Sequence, residues 1–369
     1  SWQKLQEKKL EEKEKAEKEK KKRRKKTLSA LLICAMAASL AACGNSTATT
    51  TTTAAGEAKA ETAASNGGGN YILKVNTALS ETDPLFVALT DVFKKNVEEK
   101  TNGDIQVELY SGSQLGSDED VLEQALVGAG VGVITDPGRL SNYVYDIGVL
   151  QAPYIAESYD EALHLFETET YKKMKEEVEN CGFQILSFNY YQGERELFTK
   201  NPVKTPADLK GQRIRSSGSQ VVTSTLEAMG ANTSVLPWSE SYQALQQQVI
   251  EGVEVHLSAA VGSSMQEVTK YLAFTGHQQL LTGLVISQGW YDKLPEEYKT
   301  ILQDASFEAG KNASENVIAK NDEYLKTLTD GGIEVVECDK EAFKEACNKV
   351  YDELKYTEIK EAIDKELGR

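Results

Sequence analysis

Apolar and polar positions follow two different periods along most of the chain. Tyr71–Asn76 has the composition of a β-strand, and Asp83-Pro84 then supplies a helix cap and a first-turn proline. The next apolar residues recur at helical spacing: Phe86, Leu89, Phe93 and Val97. Further apolar runs of strand length occupy residues 105–109, 131–134, 183–188, 212–215, 283–286 and 333–336. Because helical patterns separate most of these runs, the sequence predicts an α/β protein.

The longest helical pattern lies near the C-terminus. It begins at Leu294-Pro295, ends at Gly331-Gly332 and contains one internal glycine, Gly310. A single helix of that length would extend about 50 Å, which exceeds the diameter of one lobe. We therefore expect two α/β lobes with a long helix that spans both.

The N-terminal residues 1–43 have the order of a secretory signal. A basic block at residues 21–26 precedes an apolar stretch at 28–40, which is too short to cross a bilayer comfortably. The segment ends in Leu40-Ala41-Ala42-Cys43, which resembles a bacterial lipobox, so Cys43 is the expected lipidation site. Residues 44–70 are mostly Thr, Ala, Ser and Gly and predict a flexible tether with a span of about 30 Å.

Charge is distributed unevenly. Residues 1–26 hold 13 Lys/Arg and six Glu, so within a net charge of −16 the rest of the chain carries −23. Such an acidic surface repels phosphates, and we expect no nucleic acid partner. An anionic ligand would need local positive charge.

Enzyme signatures are missing from the sequence. It has no GxSxG, P-loop, GxGxxG or HExxH motif, and its three histidines, His164, His256 and His277, lie far apart. The cysteines beyond Cys43 show no CxxC or metal-type spacing, although Cys338 and Cys347 leave a disulfide open. We expect no catalytic residues, no metal and no cofactor.

Arginines in strand-like apolar context are the informative polar residues. Arg195 lies in Gly193–Thr199, and Arg213 and Arg215 share one face of the run at 212–215, where only the one at the strand end is free to meet a cleft. A guanidinium binds a carboxylate through two parallel charge-assisted hydrogen bonds. Pairing with a neighbouring surface Glu is the alternative for each arginine.

Several motifs now give the stretch from Tyr71 to about Leu354 a family resemblance. They are Thr101-Asn102-Gly103, Ser113-Gln114-Leu115-Gly116, Gly193-Glu194-Arg195, the DLKGQRIR run ending at Arg215, Ala244-Leu245-Gln246, Glu251-Gly252-Val253-Glu254, and Trp290 with Leu294-Pro295. In order and spacing the segment resembles the DctP-type solute-binding proteins of tripartite ATP-independent periplasmic (TRAP) transporters.

The resemblance implies a periplasmic-binding-protein-like (Venus-flytrap) fold. Its lobe I would comprise residues 71–192 plus about 281–322, and its lobe II residues 193–280 plus about 323–369. Arg215 would form the main salt bridge to a ligand carboxylate. The other implied ligand contacts are Arg195, Trp238, Asn76 and Asp136, whereas Asp118 fits a turn or cap residue better.

Two positions depart from the family pattern. Val255 stands where many relatives place an asparagine that contacts ligand, and Gly218 stands where some have a polar side chain. Both departures remove hydrogen-bonding groups and count against a sialic-acid-like ligand.

The implied function is capture of a small organic acid, such as a dicarboxylate or sugar acid, for secondary active import by a TRAP membrane permease. The lipobox implies an extracytoplasmic protein anchored by lipid to the outer face of the cytoplasmic membrane. Two alternatives stay open: a receptor for another permease or a sensor kinase, and a carboxylate-dependent enzyme such as a glycosidase.

Overall fold

The computed structural model describes residues 70–369. The predicted signal segment, the lipidation site Cys43 and all of the predicted tether except Asn70 lie outside the described residues. Within residues 70–369, no helix combines the length and the apolar composition needed to cross a membrane.

The described strands form one mixed sheet. They are β1 (Tyr71–Asn76), β2 (Ile105–Tyr110), β3 (Val131–Thr135), β4 (Phe183–Thr199), β5 (Arg213–Ser216), β6 (Asn232–Val235), β7 (Gly252–Val255), β8 (Tyr271–Ser287) and β9 (Glu334–Val336). The strand order is β2-β1-β3-β8-β4-β7-β5-β6, with β9 paired to β8. Strands β1, β2 and β3 are mutually parallel, as are β5, β6 and β7.

Strands β4 and β8 connect these two parallel groups. Each has 17 residues, and they pair antiparallel from Phe183↔Ser287 to Thr199↔Tyr271. Strand β3 pairs with the C-terminal part of β8, and β7 pairs with the C-terminal part of β4. Four register shifts interrupt the pairing of β4 with β8, one of them between Tyr191 and Gly193. Such shifts bend a strand locally.

Hydrophobic side chains pack on both faces of the sheet. Adjacent residues of β8 belong to different clusters: Val285 contributes to one, and Leu284 and Ile286 contribute to the other. Successive side chains of a strand point to opposite faces, so the two clusters are the two layers between the sheet and its flanking helices.

The helices cover both faces. The α-helices are α1 (Pro84–Ala88), α2 (Lys95–Lys100), α3 (Asp118–Leu126), α4 (Pro137–Leu140), α5 (Tyr159–Leu165), α6 (Glu169–Asn180), α7 (Gln220–Ala228), α8 (Ser241–Gln246), α9 (Leu257–Gly262), α10 (Gln288–Tyr291), α11 (Glu296–Ala319), α12 (Asn321–Asp330), α13 (Lys340–Cys347), α14 (Lys349–Glu353) and α15 (Thr357–Leu367). A π-helical segment, Leu89–Lys94, joins α1 to α2. Short 3-10 helices occupy Tyr145–Gln151, Pro206–Leu209, Trp238–Glu240 and Met265–Glu267.

The first predicted helix is present but is not α-helical throughout. Asp83 caps it as expected, since its side chain accepts a hydrogen bond from the Leu85 amide. Leu89, Phe93 and Val97 are buried and Phe86 is half-buried. The π-helical segment in the middle leaves the spacing of the buried residues close to the helical pattern, so the sequence does not reveal it.

The long predicted helix is divided. Lys320, with φ −99° and ψ 2°, ends α11 and precedes α12, so the expectation of one continuous helix from 296 to 330 is wrong. Neither proline nor glycine stands at the break, and therefore no helix-breaking signal was visible. The 24 residues of α11 extend about 36 Å along β4.

The predicted strands are all present, and two are longer than predicted. Residues 183–188 are the start of β4, and residues 283–286 are the end of β8. Strands β6 and β7 were not predicted. Cys338 and Cys347 are both free in the structure.

Candidate functional site

A cavity of about 600 Å³, counting its space open to solvent, lies at the carboxyl ends of two pairs of parallel strands. Thr77–Leu79 follow β1, Ile134 and Thr135 end β3, and Asp136 comes directly after it. Ser217 follows β5 and His256 follows β7. Loops at the carboxyl ends of parallel strands are the usual place for a ligand site in an α/β sheet. Residues from β4 and β8 line the cavity between these strand pairs: Gln192, Arg195, Leu280 and Thr282.

Arg215 presents an unpaired positive charge to this cavity. It lies near the end of β5, and its side chain is buried. Its Nε donates to the Leu236 carbonyl at 2.9 Å, but within residues 70–369 its Nη2 has no hydrogen-bond partner. Burial, together with the charge of Arg139, lowers the pKa of Arg215 to about 10, so the guanidinium stays charged at neutral pH. A buried cation without a counter-ion is costly, and an anion in the cavity would relieve that cost.

Arg195 also lines the cavity, but its charge is already paired. Its Nε and Nη2 each donate to the Glu254 carboxylate at 2.5 Å. Burial alone would raise the pKa of Glu254, yet Arg195 and His277 lower it to about 2. The third guanidinium nitrogen, Nη1, lies 3.4 Å from His256 Nδ1. The sequence left open that each arginine pairs with a glutamate instead of a ligand. Arg195 does pair with a glutamate, but the pair is buried and not at the surface.

Arg139 is a third cavity arginine, and carboxylates surround it. Its Nε donates to Glu119 at 2.9 Å and lies 3.6 Å from Asp118, and its Nη1 donates to Asp136. Asp118 also lines the cavity, and burial, opposed by Arg139, raises the pKa of Asp118 to about 6. With one cation and three carboxylates, this group leaves an excess of negative charge beside the cavity.

Trp238 and Asp136 also line the cavity. The Arg215 Cζ lies 5.6 Å from the centre of the Trp238 ring, which is cation–π distance, and the indole Nε1 donates to Ser263 Oγ at 3.1 Å. Asp136 caps α4, and both of its carboxylate oxygens bond Arg139.

Asn76 is buried beside the cavity rather than in its lining. Its Oδ1 accepts from the Leu115 amide at 3.1 Å, and its Nδ2 donates to the Gly116 carbonyl at 3.2 Å. These bonds hold the loop that leads into α3 and Asp118. Ligand contact by Asn76, like that of the other predicted site residues, stays a prediction.

The two positions that depart from the family pattern differ in location. Val255 is buried and lines the cavity, whereas Gly218 does not line it. A Cβ at Gly218 would lie 3.3 Å from Glu119 Oε1. Val255 adds no polar group to the cavity, but the next residue, His256, lines the cavity and is polar.

Sequence reasoning missed Arg139, Glu254 and His256. Each is a charged or polar residue inside an apolar run, in residues 131–140 or 252–261, which is the signal that singled out Arg195 and Arg215. His256 and His277 are distant in sequence, yet each neighbours the Arg195–Glu254 pair, and His277 Nε2 lies 3.7 Å from Glu254. Sequence separation was therefore a poor guide to their positions.

Known proteins share this chain's sequence and fold. The model of the DctP family, described as bacterial extracellular solute-binding protein, family 7, matches residues 75–358. The C4-dicarboxylate-binding periplasmic protein DctP of Rhodobacter capsulatus is 30% identical over 268 residues, which are 71% of this chain and 80% of the relative.

Two solved TRAP periplasmic solute-binding proteins have the same two-lobed fold. One, from Actinobacillus succinogenes with bound L-galactonate, is 30% identical with a TM-score of 0.76, covering 80% of this chain and 99% of the neighbour. Another, from Ochrobacterium anthropi with bound L-fuconate, is 32% identical with a TM-score of 0.77, covering 80% of this chain and 100% of the neighbour. The family match, the shared fold and the cavity at the strand ends agree: this chain belongs to the DctP family of bacterial extracellular solute-binding proteins, those of TRAP transporters.

Proposed function

We propose that the protein binds a small organic acid in this cavity, with Arg215 as the partner of the ligand carboxylate, and delivers it to the membrane permease of a TRAP transporter. The observation that carries the proposal is the state of Arg215. It is a buried guanidinium whose Nη2 lacks a partner within the described residues and which lies over the face of Trp238. A carboxylate in the cavity would supply both the missing hydrogen-bond acceptor and the missing negative charge.

The other predicted contacts have supporting roles in this proposal. Trp238 confines the Arg215 guanidinium from one side. Arg195, held by Glu254, lines the cavity beside it, and Asp136 orients Arg139 in the wall supplied by β3. Asn76 fixes the loop in front of Asp118. The ligand would therefore contact residues from both parallel groups of strands, β1 and β3 on one side and β5 and β7 on the other.

Binding would be coupled to closure of two lobes, residues 71–192 plus about 281–322 and residues 193–280 plus about 323–369. The proposed boundary crosses β4 and β8 where their register shifts between Tyr191 and Gly193. Gly193 has φ 111°, a conformation that other residues rarely adopt. Closure would exclude water and so strengthen the charged contacts to the ligand.

The proposed location is the outer face of the cytoplasmic membrane, at a cell surface or in a periplasm. The support is the sequence of residues 1–43, with its basic block, its apolar stretch and its lipobox-like ending at Cys43. The Thr/Ala/Gly tether would let a lipid-anchored receptor move above the membrane and reach its permease.

Ligand-dependent thermal stability tests the proposal. The protein is heated with C4-dicarboxylates, sugar acids or neutral sugars, and Arg215→Ala is compared with Arg213→Ala on the same strand. Arg213 is half-exposed and bonds Glu251 and the Gln248 carbonyl, so it is a matched control. Ligand at one hundred times its dissociation constant adds about 2.7 kcal/mol, which raises Tm by several degrees.

We expect at least one carboxylate to raise Tm of the wild type and of Arg213→Ala but not of Arg215→Ala. If only neutral sugars raise Tm, or if Arg215→Ala responds fully to carboxylates, the proposed clamp is wrong.

A further inference from the structure

Four of the residues that line the cavity each hold a buried polar atom that has no hydrogen-bond partner within residues 70–369. They are Arg215 Nη2, His256 Nε2, Asp118 Oδ1 and Thr135 Oγ1. Each of these residues is at most 8% exposed. Buried polar groups in folded proteins are nearly always hydrogen-bonded, so four such atoms around one cavity indicate the positions where a ligand bonds.

His256 supplies a neutral donor. A guanidinium only donates, so His256 Nδ1, 3.4 Å from Arg195 Nη1, must be the acceptor. Burial and the positive charge of Arg195 lower the pKa of His256 well below 6.5, so the ring is neutral and its proton is on Nε2. The Nε2–H is therefore an uncharged donor that has no acceptor within residues 70–369.

Only one lining cation of the described chain is free to neutralise an anion. Of the three lining arginines, Arg195 is bonded through two nitrogens to Glu254, and Arg139 is surrounded by Asp118, Glu119 and Asp136. Arg215 alone lacks a carboxylate partner within residues 70–369. The cavity can neutralise one ligand carboxylate, and a second would meet the negative excess around Arg139.

The remaining two atoms, Asp118 Oδ1 and Thr135 Oγ1, can accept hydrogen bonds from donor groups of a ligand. Asp118 Oδ1 is an acceptor when the carboxyl is ionised, and Thr135 Oγ1 can accept or donate. Hydroxyl groups satisfy both, and an ammonium group satisfies Asp118. An unsubstituted hydrocarbon chain would leave both atoms buried and unpaired, which costs binding energy.

We propose, on the basis of the function proposed above, that this cavity selects ligands with a single carboxylate and hydrogen-bond-donating substituents, and that it rejects dicarboxylates. Arg215 and His256 bond the acceptor oxygens of the ligand, and Asp118 and Thr135 bond its donors. In this respect the chain would differ from its C4-dicarboxylate-binding relative.

Matched six-carbon acids test the inference by titration calorimetry of the full chain at pH 8, where Asp118 is ionised. L-galactonate has one carboxylate and five hydroxyls, galactarate has a carboxylate at both ends, hexanoate has no hydroxyls, and 6-aminohexanoate has an ammonium group instead. Succinate represents the C4-dicarboxylates.

We expect a donor-bearing monocarboxylate to bind at least about tenfold more tightly than either dicarboxylate, because like charges across a binding site are costly. We expect it to bind at least about 100-fold more tightly than hexanoate, because the site's polar groups would stay unpaired.

The comparison of L-galactonate with 6-aminohexanoate identifies the donor as hydroxyl or ammonium, and preference for either supports the inference. If galactarate or succinate binds as tightly as the best monocarboxylate and depends on Arg215, the inference is overturned while the proposed function stands. If no acid binds, both fail.

Variants separate the roles of the two selective residues. Asp118→Asn should narrow the preference for monocarboxylate over dicarboxylate by about tenfold, since it removes one negative charge beside the cavity. Glu123→Gln, at an exposed position on the same helix, is the charge control and should leave the preference unchanged.

His256→Phe should weaken ligand binding more than His256→Gln, which keeps a side-chain N–H donor. Equal effects of these two His256 variants would reduce His256 to a packing residue and contradict its proposed contact.

Discussion

Arg195 of β4 and Glu254 of the neighbouring β7 form a diagonal pair that is joined by two side-chain hydrogen bonds of 2.5 Å each. The exposed fraction is 12% for the arginine side chain and 1% for the glutamate. This pair neutralises the charge of Arg195, and the Nη1 of Arg195 makes His256 Nδ1 an acceptor. Its contribution to folding and its contribution to the site can be separated by mutation.

Glu254→Gln should destabilise the fold by about 3–5 kcal/mol, because it leaves the largely buried Arg195 charge without a counter-ion. The double variant Arg195→Met with Glu254→Met should lose much less stability than the sum of the losses in Arg195→Met alone and Glu254→Met alone. Urea unfolding monitored by circular dichroism gives the four free energies of the cycle. Asp330→Asn, which breaks an exposed pair with Lys326, is the control and should cost under about 1 kcal/mol. Additive losses in the buried pair would contradict the coupling.

Glu196→Gln should change how stability depends on pH. Burial, together with the charge of Glu194, raises the pKa of Glu196 to about 8, although the Gly276 amide and Lys340 oppose the shift. Between pH 5 and 8 the unfolded state is therefore ionised at this residue while the folded state holds the proton. Stability must then fall as pH rises, by up to about 1.4 kcal/mol per pH unit, and level off above the folded-state pKa.

The measurement is the free energy of unfolding at several pH values between 5 and 9. Glu196→Gln should flatten the decline and be more stable than the wild type at pH 8. Glu361→Gln, at an exposed position on α15, should keep the wild-type slope. An unchanged slope in Glu196→Gln would show that Glu196 is ionised in the folded protein.

Gly310→Ala should destabilise the protein although alanine favours helices by about 1 kcal/mol. Helix α11 approaches β4 so closely that a Cβ at Gly310 would lie 2.3 Å from Asn189 Oδ1. The Asn189 amide is held in place by a 2.8 Å hydrogen bond to the Phe307 carbonyl. We expect a loss of about 1–3 kcal/mol, measured as a lower denaturation midpoint. The control is Lys311→Ala, at an exposed position on the same helix, which should change stability by less than about 0.5 kcal/mol. If Gly310→Ala were more stable than the wild type, the close contact with Asn189 would be refuted.

Local sequence signals predicted much of this fold. Alternation and helical spacing located the cores of the strands, and Asp83-Pro84 predicted the first helix start, because these features depend on neighbours in the chain. The lengths of β4 and β8 were underestimated since their middle residues are polar, such as Asn189 and Gln192 in β4 and His277 and Gln279 in β8. Asn189 bonds the Phe307 carbonyl of α11 and Gln192 lines the cavity, and such tertiary contacts cannot be read from neighbours in the chain.

A charge that interrupts an apolar run was a useful signal, since it singled out Arg215, which lines the cavity. It could not show that Arg195 is paired with Glu254, because 59 residues separate them and strand pairing brings them together. The pairing of Asp118 and Asp136 with Arg139 was likewise hidden, because both residues resemble ordinary turn or cap residues in sequence. Which arginine is free is a property of the folded site.

The position of β8 in the sheet has a consequence for the newly made chain. Strand β3 is complete at Thr135, but its partner residue on β8 is Gly283, about 150 residues later. At synthesis rates of roughly 5–20 residues per second, that interval lasts roughly 7–30 s. During this time one edge of β3 and most of β4 lack their partner, and unpaired strand edges invite pairing with other chains. Early segments must therefore be shielded until residue 287 has emerged, and a chain that stops before β8 should be prone to aggregation rather than form an independent half.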